Sequence, residues 1–348
     1  MVLASTTKES DEGGLRKRND TARRSRRRLQ TEPCVIMLKR ILMEDHSEIE
    51  EVDCFDPSTG QFAHISDPNA ENEILSEIQS GKISSGETTL MQEGAYFDEE
   101  EGTLVITDLE NVQYEDGPKT RRKLASTTGT KEMLALRVIA PDASTTSTEN
   151  QISDAWFGTH GDPVNLKSQY EACSYNKLQI NPANTRNISN GVRTISIGNN
   201  VIGASSTTIQ WSVVWTAWNE FGSLINNFDH VMLCLPPGTT RSQSGSWLAY
   251  AWVNSWLSVY NDQWCNYVSA QMHGKSKIML ILLPSFSFMT DSNSLLAFSD
   301  CYTTIRNIEI GHNLGLAHSG ETATYDDQSG MVSTYQLPLF LLQPISKS

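Results

Sequence analysis

The sequence predicts an α/β (α+β) main region, a twisted and mainly parallel sheet with one chemically active helix, behind a small acidic β-rich segment. Three observations carry this expectation. Strand-like and helix-like apolar patterns alternate from residue 131 onward. Residues 31–118 hold 22 Asp/Glu against three Lys/Arg and are cut by turn signals such as DPSTG and DPNAEN. The stretch IEIGHNLGLAH at 308–318 has the period of a metal-binding helix but lacks one ligand.

Residues 1–32 form a polar, basic tail with RRSRRR at 23–28, a composition that predicts disorder. No apolar run of signal-peptide length follows it. Within 33–118, CVIMLKRILM and GTLVITDLENVQY read as strands. The joint at 119–130 contains the basic cluster Arg121, Arg122 and Lys123, then a Ser/Thr-rich run. It reads as a processing site, or as an ordinary charged linker.

The main region spans 131–348. Residues 131–140 predict its first strand, 163–173 a helix, 177–180 a strand, and 228–235 and 247–253 further apolar strands. Over 207–227, Trp211, Trp215, Trp218 and Phe221 recur at steps of four, three and three, which lines one helix face. We expect that face to pack into the core; a carbohydrate-binding platform is the alternative.

The formal net charge of −14 is localised in the acidic segment, because 119–348 carry fifteen charges of each sign. The acidity therefore says nothing about substrate, and no basic face favours nucleic acid. The apolar run at 278–288 is too short and too Pro-broken to span a membrane.

The chemistry lies in 308–318. Two histidines four apart on a helix project from one face toward one ion, and the residue after the first is usually a Glu that takes a proton from metal-bound water. Glu309 and His312 fit that frame, and Gly315 would turn the chain so that His318 supplies a third nitrogen. Thirteen positions on, Ser329-Gly330-Met331 stands where a Met-containing tight turn would floor the ion. Ile308 occupies the first ligand position, and it has no lone pair to give.

With those residues, three stretches resemble the gametolysin-type metallopeptidases of the metzincin group. They are VNLKSQYEACSYNKLQI (164–180), FDHVMLCLPPGT (228–239) and the segment WLAYAWVNSWLSVYNDQWCNYVSAQMH (247–273). In that family QMH runs directly into EIGHNLGLAHSGE. Here QMH ends at His273 and EIGHNLGLAHSGE resumes at Glu309, with 35 unrelated residues at 274–308 between them. Gly274-Lys275-Ser276 is codable with a splice-donor GTAAGT, and Ile308-Glu309 with an acceptor TAG. We therefore expect 274–308 to be a translated intron, with His273 as the missing ligand; a genuine surface loop is the alternative. Val332-Ser333 is also codable as GTAAGT, so 332–348 reads as a non-family tail that ends the chain early.

The resemblance implies a Zn²⁺ held by His273, His312 and His318, with Glu309 as general base and Met331 as the Met-turn. It implies an endopeptidase acting on protein or glycoprotein substrates of extracellular matrix or cell wall, and an extracellular location although no signal peptide is present. Segment 33–118 then reads as a prosegment that keeps a zymogen silent, and Cys34 or Cys54 could serve as a thiolate on the metal, unless the two are paired. Oligomeric state is not indicated. With Ile308 in place, the chain as written is expected to bind zinc weakly; a catalytically dead pseudoprotease and a wall- or glycan-binding module are the alternatives.

Setting aside Cys301 in the insert leaves Cys34, Cys54, Cys173, Cys234 and Cys265, whose connectivity the sequence does not give. Asn187-Ile188-Ser189 is one glycosylation sequon.

Overall fold

The computed structural model describes residues 27–266 apart from 31, 45–46, 58, 99–101, 117–127, 164, 186 and 241–245. It divides into two compact units, Met1–Ile36 with Val52–Lys119 and Met37–Glu51 with Thr120–Ser348. The elements before the joint are β1 (Arg27–Leu29), β2 (Cys34–Met43), β3 (Glu48–Asp56), β4 (Gln61–Ile65), α1 (Pro68–Gln79), β5 (Thr88–Met91), β6 (Tyr96–Asp98), β7 (Thr103–Val105) and β8 (Gln113–Asp116).

In the first unit, β6 pairs with β1 and β7, β7 with β4, β4 with β3, and β5 joins the start of β2 to β8. Helix α1 begins where Asp67 accepts hydrogen bonds from the amides of Asn69 (2.7 Å) and Ala70 (3.1 Å), with Pro68 in its first turn. Pro suits that position because its missing N–H would be unpaired there anyway. The helix buries Ala70 and Ile74 in a core with Val52, Leu90, Phe97 and Leu104. Cys34 and Cys54 form a disulfide inside this core. Of the two alternatives the sequence left open for this pair, a thiolate on the metal or a disulfide, the disulfide is the one formed. GTLVITDLENVQY is not one strand: β7 and β8 flank a 3-10 turn at Leu109–Asn111.

The second unit continues with β9 (Gly129–Ile139), α2 (Glu149–Phe157), α3 (Leu166–Cys173), β10 (Leu178–Pro182), β11 (Val192–Ser196), α4 (Ser206–Phe221), α5 (Leu224–Asn227), β12 (His230–Leu235), β13 (Trp247–Trp252) and β14 (Leu257–Asn261). Its strand order is β2-β13-β14-β12-β9, with β10 and β11 following one another along the far side of β9. The pairs β9 with β10, β11 and β12, and β12 with β14, are parallel; β13 is antiparallel to both β14 and β2. A mixed α/β architecture with a largely sheet core is thus observed. Strands β12 and β13 are buried at every residue. That explains why they read as unbroken apolar runs and not as alternating ones.

Alternate residues of these strands face opposite sides. Met133, Ala135, Met232, Cys234, Ala249 and Tyr260 share a core cluster with Ile152, Ala155 and Trp156 of α2 and Leu166 and Tyr170 of α3. Helix α2 starts at a capping box in which Thr148 and Gln151 satisfy each other's backbone amides. Helix α4 packs over β11 and β12 through Ile209, Val213, Val214 and Ala217. Gln210 on the same helix accepts a 2.8 Å hydrogen bond from the buried Tyr250 hydroxyl of β13.

The tryptophan stripe of α4 does not form the core. Trp215 is 68% exposed and Trp218 39%, while Trp211 and Phe221 are half-buried. The helix carries two overlapping stripes, and its small and β-branched one faces the sheet. We attribute that choice to size: Val and Ala let a helix approach a sheet closely, and indole rings there would hold it away.

Segment 37–51 belongs to the second unit. Strand β2 lies along β13 with Lys39 opposite Trp252, Ile41 opposite Tyr250 and Met43 opposite Trp247. Further backbone bonds, Val253 N to Leu38 O and Glu44 N to Ser246 O at 2.8 Å each, close both ends of the ladder. Met37, Leu38, Ile41, Leu42 and Met43 are each at most 5% exposed, and full burial of such a side chain contributes about 1.5–3 kcal/mol. Lys39 is buried too, ion-paired with Glu51 at 2.7 Å and 5.8 Å from the centre of the Trp252 ring.

His230 opens β12 fully buried, its Nδ1 without a hydrogen-bond partner. Burial, helped by the Lys131 ammonium and opposed by the Asp229 carboxylate, pushes its pKa down to about 4. The folded protein therefore keeps this imidazole neutral where the unfolded chain protonates it. Stability from this group is fully present above the unfolded pKa of about 6.5 and is lost as pH falls from there toward 4.

Two predictions follow from this packing. Urea unfolding at pH 5 should show a loss relative to pH 7 of roughly 1–2 kcal/mol traceable to this residue; an equal pH 5 loss in His230→Gln would take the effect away from His230. In the same assay Ile209→Ala should cost about 2–5 kcal/mol and Trp215→Ala within about 0.5 kcal/mol. Comparable losses would return the tryptophan to the core.

Candidate active site

The sequence places the first candidate ligand, His273, eight residues beyond Cys265. The structure describes how the chain is held as far as residue 266. After β14 it makes a 3-10 turn at Asp262–Cys265. Asp262 opens the turn with φ of 28°, an unusual value for a residue with a side chain. Its carboxylate accepts from the Thr146 amide (2.7 Å) and the Thr146 hydroxyl (3.1 Å), which holds that backbone in place.

Thr146 is itself anchored by its neighbours. The Thr145 hydroxyl donates to the Cys234 carbonyl at 2.7 Å, and the Arg137 guanidinium donates to the carbonyls of Ser147 (2.6 Å) and Thr145 (2.8 Å). The loop after β9 is thereby stapled to β9, β12 and the 3-10 turn. At the end of the turn, the Trp156 indole donates to the Cys265 carbonyl at 2.6 Å, and its ring meets Tyr260 edge-on with centroids 5.5 Å apart. Cys265 is joined by a disulfide to Cys234 of β12. Covalent, polar and aromatic contacts thus converge on one turn.

The sequence-predicted site residues, His273, Glu309, His312, His318 and Met331, lie outside the described residues, as do Ile308, the 274–308 insert, the 332–348 tail and Arg121, Arg122 and Lys123. The scaffold is described as far as residue 266; the ligand set is not. Sequence reasoning missed Asp262, Thr146 and Trp156. Thr146 and Asp262 stand 116 positions apart, and no local pattern links them.

Among the described residues, Glu51, Asp53 and His64 form another grouping of metal-ligating types, their ligand atoms within 4.8 Å of one another. His64 Nδ1 lies 3.4 Å from Asp53 and 3.8 Å from Glu71, with Asp53 and His64 opposite one another on β3 and β4. Glu71 also accepts from the Val52 amide at 3.0 Å, so it already serves to tie α1 to β3. Glu51, two residues before Asp53, is engaged by Lys39. Glu51 and Glu71 thus already have a cationic and an amide partner, and nothing beyond the ligand types points to an ion at this grouping.

The reduced form of the clamp tests its weight. Replacing Cys234 and Cys265 together by Ser should cost about 3–4 kcal/mol in denaturant unfolding for a loop of this length. No measurable loss would mean that the hydrogen bonds alone hold the turn.

The profile of the gametolysin peptidase M11 family matches residues 136–279. No curated protein and no solved structure gives a significant match. The matched span begins in β9, includes α2 to β14, the clamped turn and His273, and ends inside 274–308 before Glu309. This match supports a gametolysin-type peptidase, an enzyme class with protein substrates and a metal.

Proposed function

We propose that the protein is a zinc-dependent endopeptidase of gametolysin type whose ligand set is His273, His312 and His318, completed when 274–308 is absent. The observation that carries this is where the family match stops. It runs through His273 and breaks off at 279, six residues into the segment that the sequence marks as foreign to the family and 30 residues before Glu309. Glu309, His312 and His318 then resume the pattern beyond that segment. Three imidazoles suit a divalent zinc ion with one position left open.

Bound there, the ion would lower the pKa of its water to about 7 and polarise the scissile carbonyl. Glu309 would accept the proton of that water and return it to the leaving amine, a role that contributes on the order of 10²–10⁴ in rate. Met331 would floor the site without ligation. The described disulfides, Cys34–Cys54 and Cys234–Cys265, suit an oxidising compartment, which agrees with secretion toward matrix or cell-wall glycoproteins. Segment 33–118 would act as prosegment, with processing at Arg121, Arg122 and Lys123.

Two other functions have an observation each. Ile308 at a ligand position favours a pseudoprotease in the chain as written. The exposed Trp215 and Trp218 favour a wall-binding surface.

Metal analysis separates the three. Protein lacking 274–308 should hold one zinc per molecule where the full chain holds far less; a folded deletion protein without zinc would remove the peptidase assignment. Glu309→Gln in that deletion should keep the metal and lose at least about 10²-fold in peptide hydrolysis. An unchanged rate would exclude Glu309 as the base.

A further inference from the structure

We propose that the outer edge of β13 is a permanent interface for this chain's own N-terminal segment 37–51. On cleavage of the 119–130 joint the N-terminal fragment would stay bound as a non-covalent subunit, and would not depart as a released propeptide. The inference concerns the processing assigned to the joint and does not depend on the zinc site.

Segment 37–51 lies before the joint in sequence but inside the second unit in space. Its strand β2 fills the ladder of β13 from Lys39 to Met43, and the backbone bonds at Leu38 and Glu44 extend the pairing past both ends. Ile41 is 0% exposed and Leu42 1%, opposite Tyr250 and Ala249, which are equally buried. Removing β2 would expose both strands' apolar side chains and leave a row of unpaired amides and carbonyls, a surface that pairs with any other strand available.

The charged group in the segment is neutralised within it. Lys39 is 3% exposed, neutralised by Glu51 of the same segment, and its ammonium lies against the Trp252 ring across the interface. The ion pair itself travels with the segment, so of these contacts only the approach of the ammonium to the Trp252 ring spans the interface. Among the described residues no disulfide crosses the joint: Cys34–Cys54 lies before it and Cys234–Cys265 after it. The two fragments would therefore be held by the strand interface without covalent help. A main region expressed from residue 131 alone would lack the strand that completes its sheet.

The test uses the full chain with a site-specific protease sequence placed at 121–123. After complete cleavage, the two fragments should co-elute in native size exclusion, and the amides of 247–252 should remain as protected from hydrogen exchange as before cleavage. Separate elution, or loss of protection at 247–252, would overturn the proposal. A second protein, carrying Ile41→Cys and Tyr250→Cys at facing positions, should run after cleavage as one band on a non-reducing denaturing gel and as two when reduced. Two bands without reductant would show that β2 does not rest on β13. Neither readout requires activity, so failure here and failure of the zinc assignment remain distinguishable.

Discussion

The turn at Asp262–Cys265 is the constraint that ties the end of the described chain to the sheet of the second unit. It is the last described element before the chain reaches His273, and it is held from three directions. The disulfide ties it to β12, the Trp156 indole binds its final carbonyl, and Asp262 binds the Thr146 backbone. An outlying φ such as that of Asp262 costs on the order of 1–3 kcal/mol and persists only where its surroundings over-determine it. Such surroundings are present here, since both carboxylate oxygens are occupied. A ligand that must meet two others within a few tenths of an ångström benefits from a fixed point of departure.

The sheet supplies the second constraint. Parallel strands need both faces covered; α2 and α3 cover one face of the second unit, and α4 lies over β11 and β12. The edge beyond β13 is closed by a strand from the other side of the joint, so the covalent order of the chain and the order of its sheet differ. Segment 33–118, which composition marks as one acidic block, is divided between the two units.

Much of the sheet was legible in the sequence because buried strands carry local signatures. The runs around β12 and β13 are buried throughout, those around β2 and β9 are apolar apart from Lys39, Arg40, Lys131, Glu132 and Arg137, and each forms a strand. Helix α2 was missed although its capping box, Thr148 with Gln151, was there to find. The tryptophans of α4 misled because periodicity reports that residues share a face and not which face is buried. For the candidate site the division is sharper. Glu309, His312 and His318 announce themselves by spacing, whereas the clamp rests on pairs such as Thr146 with Asp262 and Trp156 with Cys265, which only folding brings together.

Whether the proposed metal site depends on the clamp is tested most directly by zinc affinity with and without the Cys234–Cys265 disulfide, in protein lacking 274–308. With the disulfide formed, tight binding is predicted; with Cys234→Ser and Cys265→Ser, and the fold retained by circular dichroism, binding should weaken by at least an order of magnitude. Equal affinity in the two proteins would mean that this turn has no part in positioning the imidazole proposed as first ligand.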